Sequence, residues 1–416
     1  MRASYQEAAL LRCLFLLAVC ALSQAVQARD LTLAEAEQLL ARNNRDLQAA
    51  RRATESAEAQ RLIAAARPNA TFSINSTAIG ANRQPDTVFR IDQPFERGNK
   101  RGLRMDAASG LQQAAHNDFL DVLRQQLALL QGAYFDLKQA QEKADALAEN
   151  AQLFGGTLNA AQRRLKAGDL APADVAKVQV DYERAQNDAR AARAELARAQ
   201  IALGFLIAAE RDALELRAVD PWPALERADA AAVEQAIDAR PDVVAAQARI
   251  DAAEKLRELA RAQRTRDVTL GAQYERFPGN LPINSVGFGV ALPLFTGNDF
   301  SGDIQKAEVD RYAAMDALER ARAVAGNELR RAAGDLNAAA ERLERFEGSL
   351  LGAANQSAQA SEFAFNRGAI SVLEVLDSRR TLRAVRIESL AARSDYAKAL
   401  AAWRAAQATV QSLEAR

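Results

Sequence analysis

The chain repeats itself. From Arg42 to Leu203, and again from Arg240 to Trp403, the same order of features recurs at a shift of roughly 200 residues. Each copy opens on an Ala-rich helix and continues through two short alternating segments into a very long helix, a Gly turn and a return helix. Asp46-Leu47 answers to Asp242-Val243, Phe72-Ser73-Ile74 to Val268-Thr269-Leu270, and Gln93-Pro94-Phe95 to Leu292-Pro293-Leu294. Lys166-Ala167-Gly168-Asp169-Leu170 answers to Asn366-Arg367-Gly368-Ala369-Ile370. A duplicated unit that joins membrane-type strands to helices longer than a globular core needs does not suit an ordinary soluble enzyme. It suits a conduit.

The strands carry a period of two. Phe72, Ile74 and Ala78 fall on one side of the first, and Ser73, Asn75 and Thr77 on the other; Gly80 to Asp86 reads as a polar turn before Phe89 and Ile91 alternate again. In the second copy Val268, Leu270, Ala272 and Tyr274 share a face, then Val286, Phe288, Val290 and Leu292. Their neighbours Thr269, Gly271, Gln273, Ser285, Gly287 and Gly289 are small or polar. Sandwich strands can show the same alternation, but the chain offers no other β-rich region for these to pack on. Their lengths approach the 9–11 residues, roughly, of a membrane-spanning strand.

The helices carry a period near 3.5. Leu103 to Lys166 holds no proline and would reach roughly 95 Å. Leu120, Leu123, Leu127, Leu130, Tyr134 and Leu137 step by three and four, and Leu329, Leu336, Leu343 and Leu350 recur every seventh residue, which lets neighbouring helices wrap for many turns. Gly155-Gly156 and Gly352 read as tolerated breaks or bends. Thr32 is placed to N-cap a helix running to about Arg67, which Pro68 ends.

The resulting division is a signal peptide over 1–28, a first repeat over 29–208, a connector over 209–231 and a second repeat over 232–416. The first repeat has a hairpin at 70–95, a long helix at 103–166 and a turn at 167–172; the second has them at 267–295, 301–366 and 367–371. The signal rests on Arg2 and Arg12, the apolar run Leu10–Leu22 and the small residues of Val26-Gln27-Ala28. Leu17-Ala18-Val19-Cys20 resembles a lipoprotein box, but Val19 is larger than the residue expected there, so removal of Cys20 with the signal is the first reading and its lipidation the alternative. Cys13 and Cys20 are the only cysteines, which leaves the mature chain without disulfides or thiolate sites. The single histidine, His116, reads as a surface or packing residue. Fifty-four basic side chains balance 54 acidic ones, so nothing favours nucleic acid. There is no phosphate loop, triad or metal cluster, hence no enzyme and no cofactor.

Four strands cannot close a membrane barrel, because the smallest have about eight. Two copies give eight strands and a filled interior. Three give twelve, with room for a lumen lined by Ser, Thr, Asn and Gly, and symmetry then gathers the long helices into a tube.

On these residues the chain resembles the TolC family of outer membrane efflux proteins over essentially its whole mature length. Gln93-Pro94-Phe95-Glu96-Arg97-Gly98-Asn99-Lys100-Arg101, with Arg104, is similar to the strand-to-helix junction of the cobalt–zinc–cadmium resistance branch, with Asn99 where that branch has glycine. Val286-Gly287-Phe288 through Leu292-Pro293-Leu294-Phe295 is similar to the corresponding strand. The fold class implied is mainly α with a small β part: a homotrimer sharing a twelve-stranded barrel in the outer membrane lipid, continued by a periplasmic helical tunnel. The resemblance also implies a periplasmic adaptor and an inner-membrane pump of RND type as partners. The lipid face would comprise Phe72, Ile74, Phe89, Ile91, Val268, Leu270, Val286, Phe288 and Val290. The adaptor-docking tip would comprise Ala167, Gly168, Leu170, Arg367, Gly368 and Ile370, with both glycines also explained as left-handed helix ends. The pore gate would comprise Asp174, Phe365, Glu374 and Asp377, against the plainer reading of a solvated helical face. Three copies of Glu374 and Asp377 would ring the constriction with carboxylates. Phe365 stands where the family has a gate tyrosine and Ile370 where it has an arginine, so the usual closing hydrogen bonds are lacking. The basic cluster Arg97, Lys100, Arg101 and Arg104 reads as headgroup contact or subunit pairing.

The cargo implied is divalent heavy-metal cations, with drugs, organic solutes or a type I secretion system as the alternative. A periplasmic adaptor would need a compact β domain that this chain does not offer, and a soluble coiled coil would not explain the alternating strands.

Overall fold

The structure, a computed structural model, describes residues 29–77, 85–229, 236–278, 283–367 and 369–415. The signal segment with both cysteines, Ala78 and Gly80 of the first hairpin loop, part of the connector, and Gly368 lie outside the described residues.

In chain order the elements are β1 (Arg29–Leu31), α1 (Leu33–Asn43), α2 (Arg45–Ala65), β2 (Thr71–Thr77), β3 (Asp86–Phe95), α3 (Lys100–Ala167), α4 (Pro172–Leu206) and β4 (Leu216–Ala218). The second half gives α5 (Pro241–Ala262), β5 (Val268–Phe277), β6 (Ile283–Ala291), α6 (Ser301–Arg345), α7 (Leu351–Asn366), α8 (Val372–Ala406) and α9 (Val410–Glu414). The helix, hairpin, long helix, return helix order thus appears twice. The chain divides into two compact units. One gathers residues up to Arg45 with Gln126–Ala228 and Ala332–Ala405; the other gathers Asp46–Gln125, Asp229–Arg331 and Ala406–Arg416.

In the first unit, Thr32 caps α1 through a reciprocal box: its Oγ1 accepts from the Glu35 amide at 3.2 Å and its amide donates to Glu35 Oε2 at 3.0 Å. The helix expected to run to Arg67 is broken at Asn44, which is extended and buried. Its Nδ2 donates to the Leu206 carbonyl at 3.0 Å, and an Asn side chain recruited this way releases its backbone from the helix. Sequence periodicity also missed a parallel pairing of β1 with β4, three residues each. It is pinned by Tyr134, whose hydroxyl lies 2.9 Å from the Leu31 carbonyl and 2.8 Å from Asp220 Oδ2 while accepting from the Val219 and Asp220 amides. Burial, reinforced by the Asp220 carboxylate, pushes the Tyr134 phenol up to about 12.

The helical core of this unit is narrow and Ala-rich: Ala144, Ala151, Ala161, Ala185, Ala189 and Ala192 are buried around Leu147, Phe154, Val178 and Leu376. Helix α3 runs through Gly155 and Gly156 unbroken. A Cβ on Gly155 would meet the Tyr182 ring at 3.2 Å, so that glycine serves close approach of α4 rather than a bend. A π-helical segment, Phe346–Leu350, separates α6 from α7, ahead of Gly352. Its extra residue rotates the next turns of the helix, so the heptad Leu329, Leu336 and Leu343 is buried while Leu350 stands 45% exposed.

In the second unit, Val243, Ala246, Leu318 and Ala325 form a buried cluster. Arg240 is wholly buried at the start of α5, its guanidinium 2.8 Å from both Asp242 Oδ2 and Glu328 Oε2. The preceding Ala239 carbonyl accepts from the Val410 amide at 3.1 Å, which ties down the chain end.

Candidate functional site

The sheet of the second unit has the order β2-β3-β5-β6, antiparallel throughout. Asp86, expected in the turn, already belongs to β3, opposite Thr77. The register stacks Phe72 on Ile91, Ile74 on Phe89, Phe89 on Tyr274, Leu270 on Val290, Ala272 on Phe288 and Tyr274 on Val286. One face is therefore a continuous apolar field crossing all four strands. It is uncovered: Phe72, Ile74, Phe89, Ile91, Leu270, Val286 and Val290 are exposed, Phe288 is 87% exposed, and Val268 is half-buried. Such a field exceeds what a protein surrounded by water ordinarily leaves open.

The opposite face carries Ser73, Asn75, Arg90, Asp92, Gln273, Glu275, Ser285 and three glycines, with Val88 among them and Phe277 and Ile283 near the loop end. Strands β2 and β6 are the sheet's two edges, and neither has a second neighbour among the described residues.

At the strand-to-helix junction Gly98 and Asn99 both adopt positive φ, +72° and +57°. Asparagine is among the few side chains that tolerate that region, which explains how Asn99 replaces a glycine. A Cβ on Gly98 would meet Thr265 at 2.9 Å. Three of the four basic side chains here are turned inward, and Arg97 is exposed. Lys100 is buried against Asp267 at 2.9 Å, Arg101 Nε donates to the Ala65 carbonyl at 2.7 Å, and Arg104 pairs with Glu96. The Arg104 guanidinium is held above its ordinary range by its hydrogen bond to Glu96.

At the far ends of the long helices, in the first unit, Gly168 has φ +84° and the Asp169 amide returns to the Arg164 carbonyl at 2.9 Å, closing the turn. In the second turn the Ala369 amide reaches the Ala364 carbonyl at 2.9 Å. Ala167, Gly168 and Arg367 are exposed and Ile370 is half-buried. Leu170 packs on the helical core, and with Phe365 it lines a groove of ≈ 410 Å³ shared with Gly156, Thr157, Arg164 and Arg379. Phe365 lies under the Arg164 guanidinium at 5.3 Å, and Arg367 sits 4.6 Å from the Phe363 ring.

Asp174 pairs with Lys177 at 3.3 Å. Glu374 is exposed and caps its own helix, accepting from Ser371 Oγ at 3.0 Å. Asp377 is exposed.

Sequence reading missed a row of arginines on α8 that holds this end together. Arg379 reaches Glu362 at 2.9 Å and Thr157 at 3.2 Å, Arg380 pairs with the buried Asp181, Arg383 with Asp188 at 2.6 Å, and Arg386 with Glu149 at 3.7 Å. One helix thus binds α3, α4 and α7. The spacing of three and four on α8 was the available signal; apart from Glu362, its partners lie roughly 200 residues away.

Among the described residues no group of His, Cys, Asp or Glu could hold a metal ion, and no helix is long and apolar enough to cross a membrane.

Residues 232–409 match the Outer membrane efflux protein family. The chain is 27% identical over 372 residues, 87% of its length and 86% of the other's, to the cobalt-zinc-cadmium resistance protein CzcC of Cupriavidus metallidurans. Its fold is that of the CmeC outer membrane channel of Campylobacter jejuni, with TM-score 0.76 and 16% identity over 90% of this chain and 85% of that one. It is equally that of the MtrE outer membrane channel of Neisseria gonorrhoeae in its open state, with TM-score 0.73 and 18% identity over 92% of each.

Proposed function

We propose that the chain is a member of the outer membrane efflux protein family, whose model matches residues 232–409, and that three copies assemble into one passive conduit that exports divalent heavy-metal cations. It is an outer membrane efflux channel rather than an enzyme. One observation carries the assembly: a four-stranded sheet with one uncovered apolar face and two free edges. Lipid is the solvent that such a face requires, and in lipid a sheet edge must find a partner. Pairing β2 of one copy with β6 of the next removes every edge, and three copies give the even count of twelve that an open lumen needs. The long helices then continue the passage into the periplasm, where their turns meet an adaptor bound to an inner-membrane pump. Energy comes from that pump.

The cargo rests on likeness to the cobalt-zinc-cadmium resistance protein over most of both chains. Deleting the gene is expected to sensitise cells to cobalt, zinc or cadmium more than to dyes or antibiotics. Equal or reversed sensitivity removes the metal reading and favours organic solutes.

For the gate, Glu374→Ala with Asp377→Ala in planar bilayers is expected to weaken block by a divalent cation about tenfold, or about 1.4 kcal/mol. Unchanged block would mean that these carboxylates serve only the helix start, where Glu374 accepts from Ser371.

A further inference from the structure

The polar face of the sheet is built in a way its strand pairing does not require. Arg90 lies flat, its Nε 2.7 Å from Asp92 Oδ2 and its Nη1 donating to Gln273 Oε1 at 3.2 Å. Gln273 passes the chain on, Nε2 donating to Glu275 Oε1 at 2.5 Å, and Ser285 Oγ donates to the other Glu275 oxygen at 3.0 Å. These side chains rest on glycines. A Cβ on Gly271 would collide with Asp92 Oδ1 and stand 3.0 Å from Arg90 Nη2; one on Gly287 would stand 3.1 Å from Gln273 Cγ. Gly271 pairs directly with Gly289, so the bare patch spans β5 and β6. The glycines let long polar side chains lie along the wall instead of standing away from it.

The charges on this face do not cancel. Asp86, Asp92 and Glu275 oppose the single guanidinium of Arg90 among the described strand residues. Arg90 is committed to Asp92 and Gln273. Glu275 receives two neutral donors and meets no cation among the described residues.

We infer that this strip is a charge filter within the barrel, separate from the helical turns, in which Glu275 makes the lumen prefer cations and the Gly271–Gly289 patch keeps it wide. This rests on the reading of the sheet as one third of a shared barrel whose polar face lines the lumen. Three copies of an uncompensated carboxylate, fixed by Ser285 and Gln273 at one level of the aqueous passage, raise the local cation concentration and repel anions.

The test uses the purified full-length channel in planar bilayers under a KCl gradient, in the Glu374→Ala, Asp377→Ala background so that the turn carboxylates do not mask the effect. Glu275→Gln, nearly isosteric, is expected to lower the potassium-to-chloride permeability ratio about twofold, and Glu275→Lys to shift the reversal potential towards anions. The mature chain is read as free of cysteine, so Glu275→Cys adds a unique thiol. A negatively charged, membrane-impermeant methanethiosulfonate should react with it and restore cation preference, and the same reagent should leave Phe288→Cys untouched. Channels of normal conductance whose reversal potential is unmoved by Glu275→Gln and Glu275→Lys overturn the filter while leaving the barrel standing. A parent protein that forms no conductance overturns both.

Discussion

Phe288→Arg is expected to abolish assembly in the outer membrane, while Asn75→Arg leaves it intact. Phe288 is the most exposed of the large apolar side chains on the sheet, in register with Ala272 of the adjacent strand. A guanidinium at the midplane of a barrel's lipid face costs about 2–4 kcal/mol, and the lost phenyl burial adds about 1.5–3 kcal/mol. Threefold symmetry repeats both penalties in every channel. Asn75 sits on the opposite face, where an added charge meets water. The readout is the yield of heat-modifiable oligomer in outer membrane fractions. Equal loss from both substitutions would mean that the two faces do not see different solvents.

Arg240→Ala is expected to destabilise the second unit by about 3 kcal/mol, against less than about 0.5 kcal/mol for Arg322→Ala. Arg240 is wholly buried between Asp242 and Glu328, with its Nη1 also 3.5 Å from the Ala406 carbonyl. Removing it leaves two carboxylates and a carbonyl facing a hole. Its partners keep some contact with water, which holds the cost below that of a fully sealed ion pair. Arg322 instead pairs with Asp238 at the surface, 2.9 Å away, where solvent screens the interaction. Urea unfolding of the detergent-solubilised protein separates the two. Comparable midpoints for both variants would show that burial of Arg240 contributes nothing beyond a surface pair.

The repeat and its strands were legible because both periods leave long traces. Phe72 to Ile74 and Val268 to Tyr274 alternate strictly, and α3 is 68 residues without a proline. What escaped notice was short or non-local. The pairing of β1 with β4 involves three residues on each side, too few for a period to register. Leu350 looked like the next heptad position because composition does not reveal the π-helical residue that turns it outward. Asn44 ends its helix where its side-chain amide reaches the Leu206 carbonyl, 162 residues away. The basic cluster at Arg97–Arg104 reads as headgroup contact or subunit pairing, yet Lys100 is buried on Asp267 of the same chain, more than 160 residues away. For the gate, sequence named Glu374 and Asp377 as neighbours on a helix. It gave no hint that Glu374 already accepts from Ser371, or that the arginines of α8 fasten that end of the chain.

The account turns on strands that one copy cannot close by itself. Native mass spectrometry of the detergent-extracted protein, followed by detergent removal, addresses this directly. Three chains per particle, surviving dilution and precipitating once the amphiphile is withdrawn, is the predicted outcome. A single chain at every concentration, staying folded in plain buffer, would contradict it.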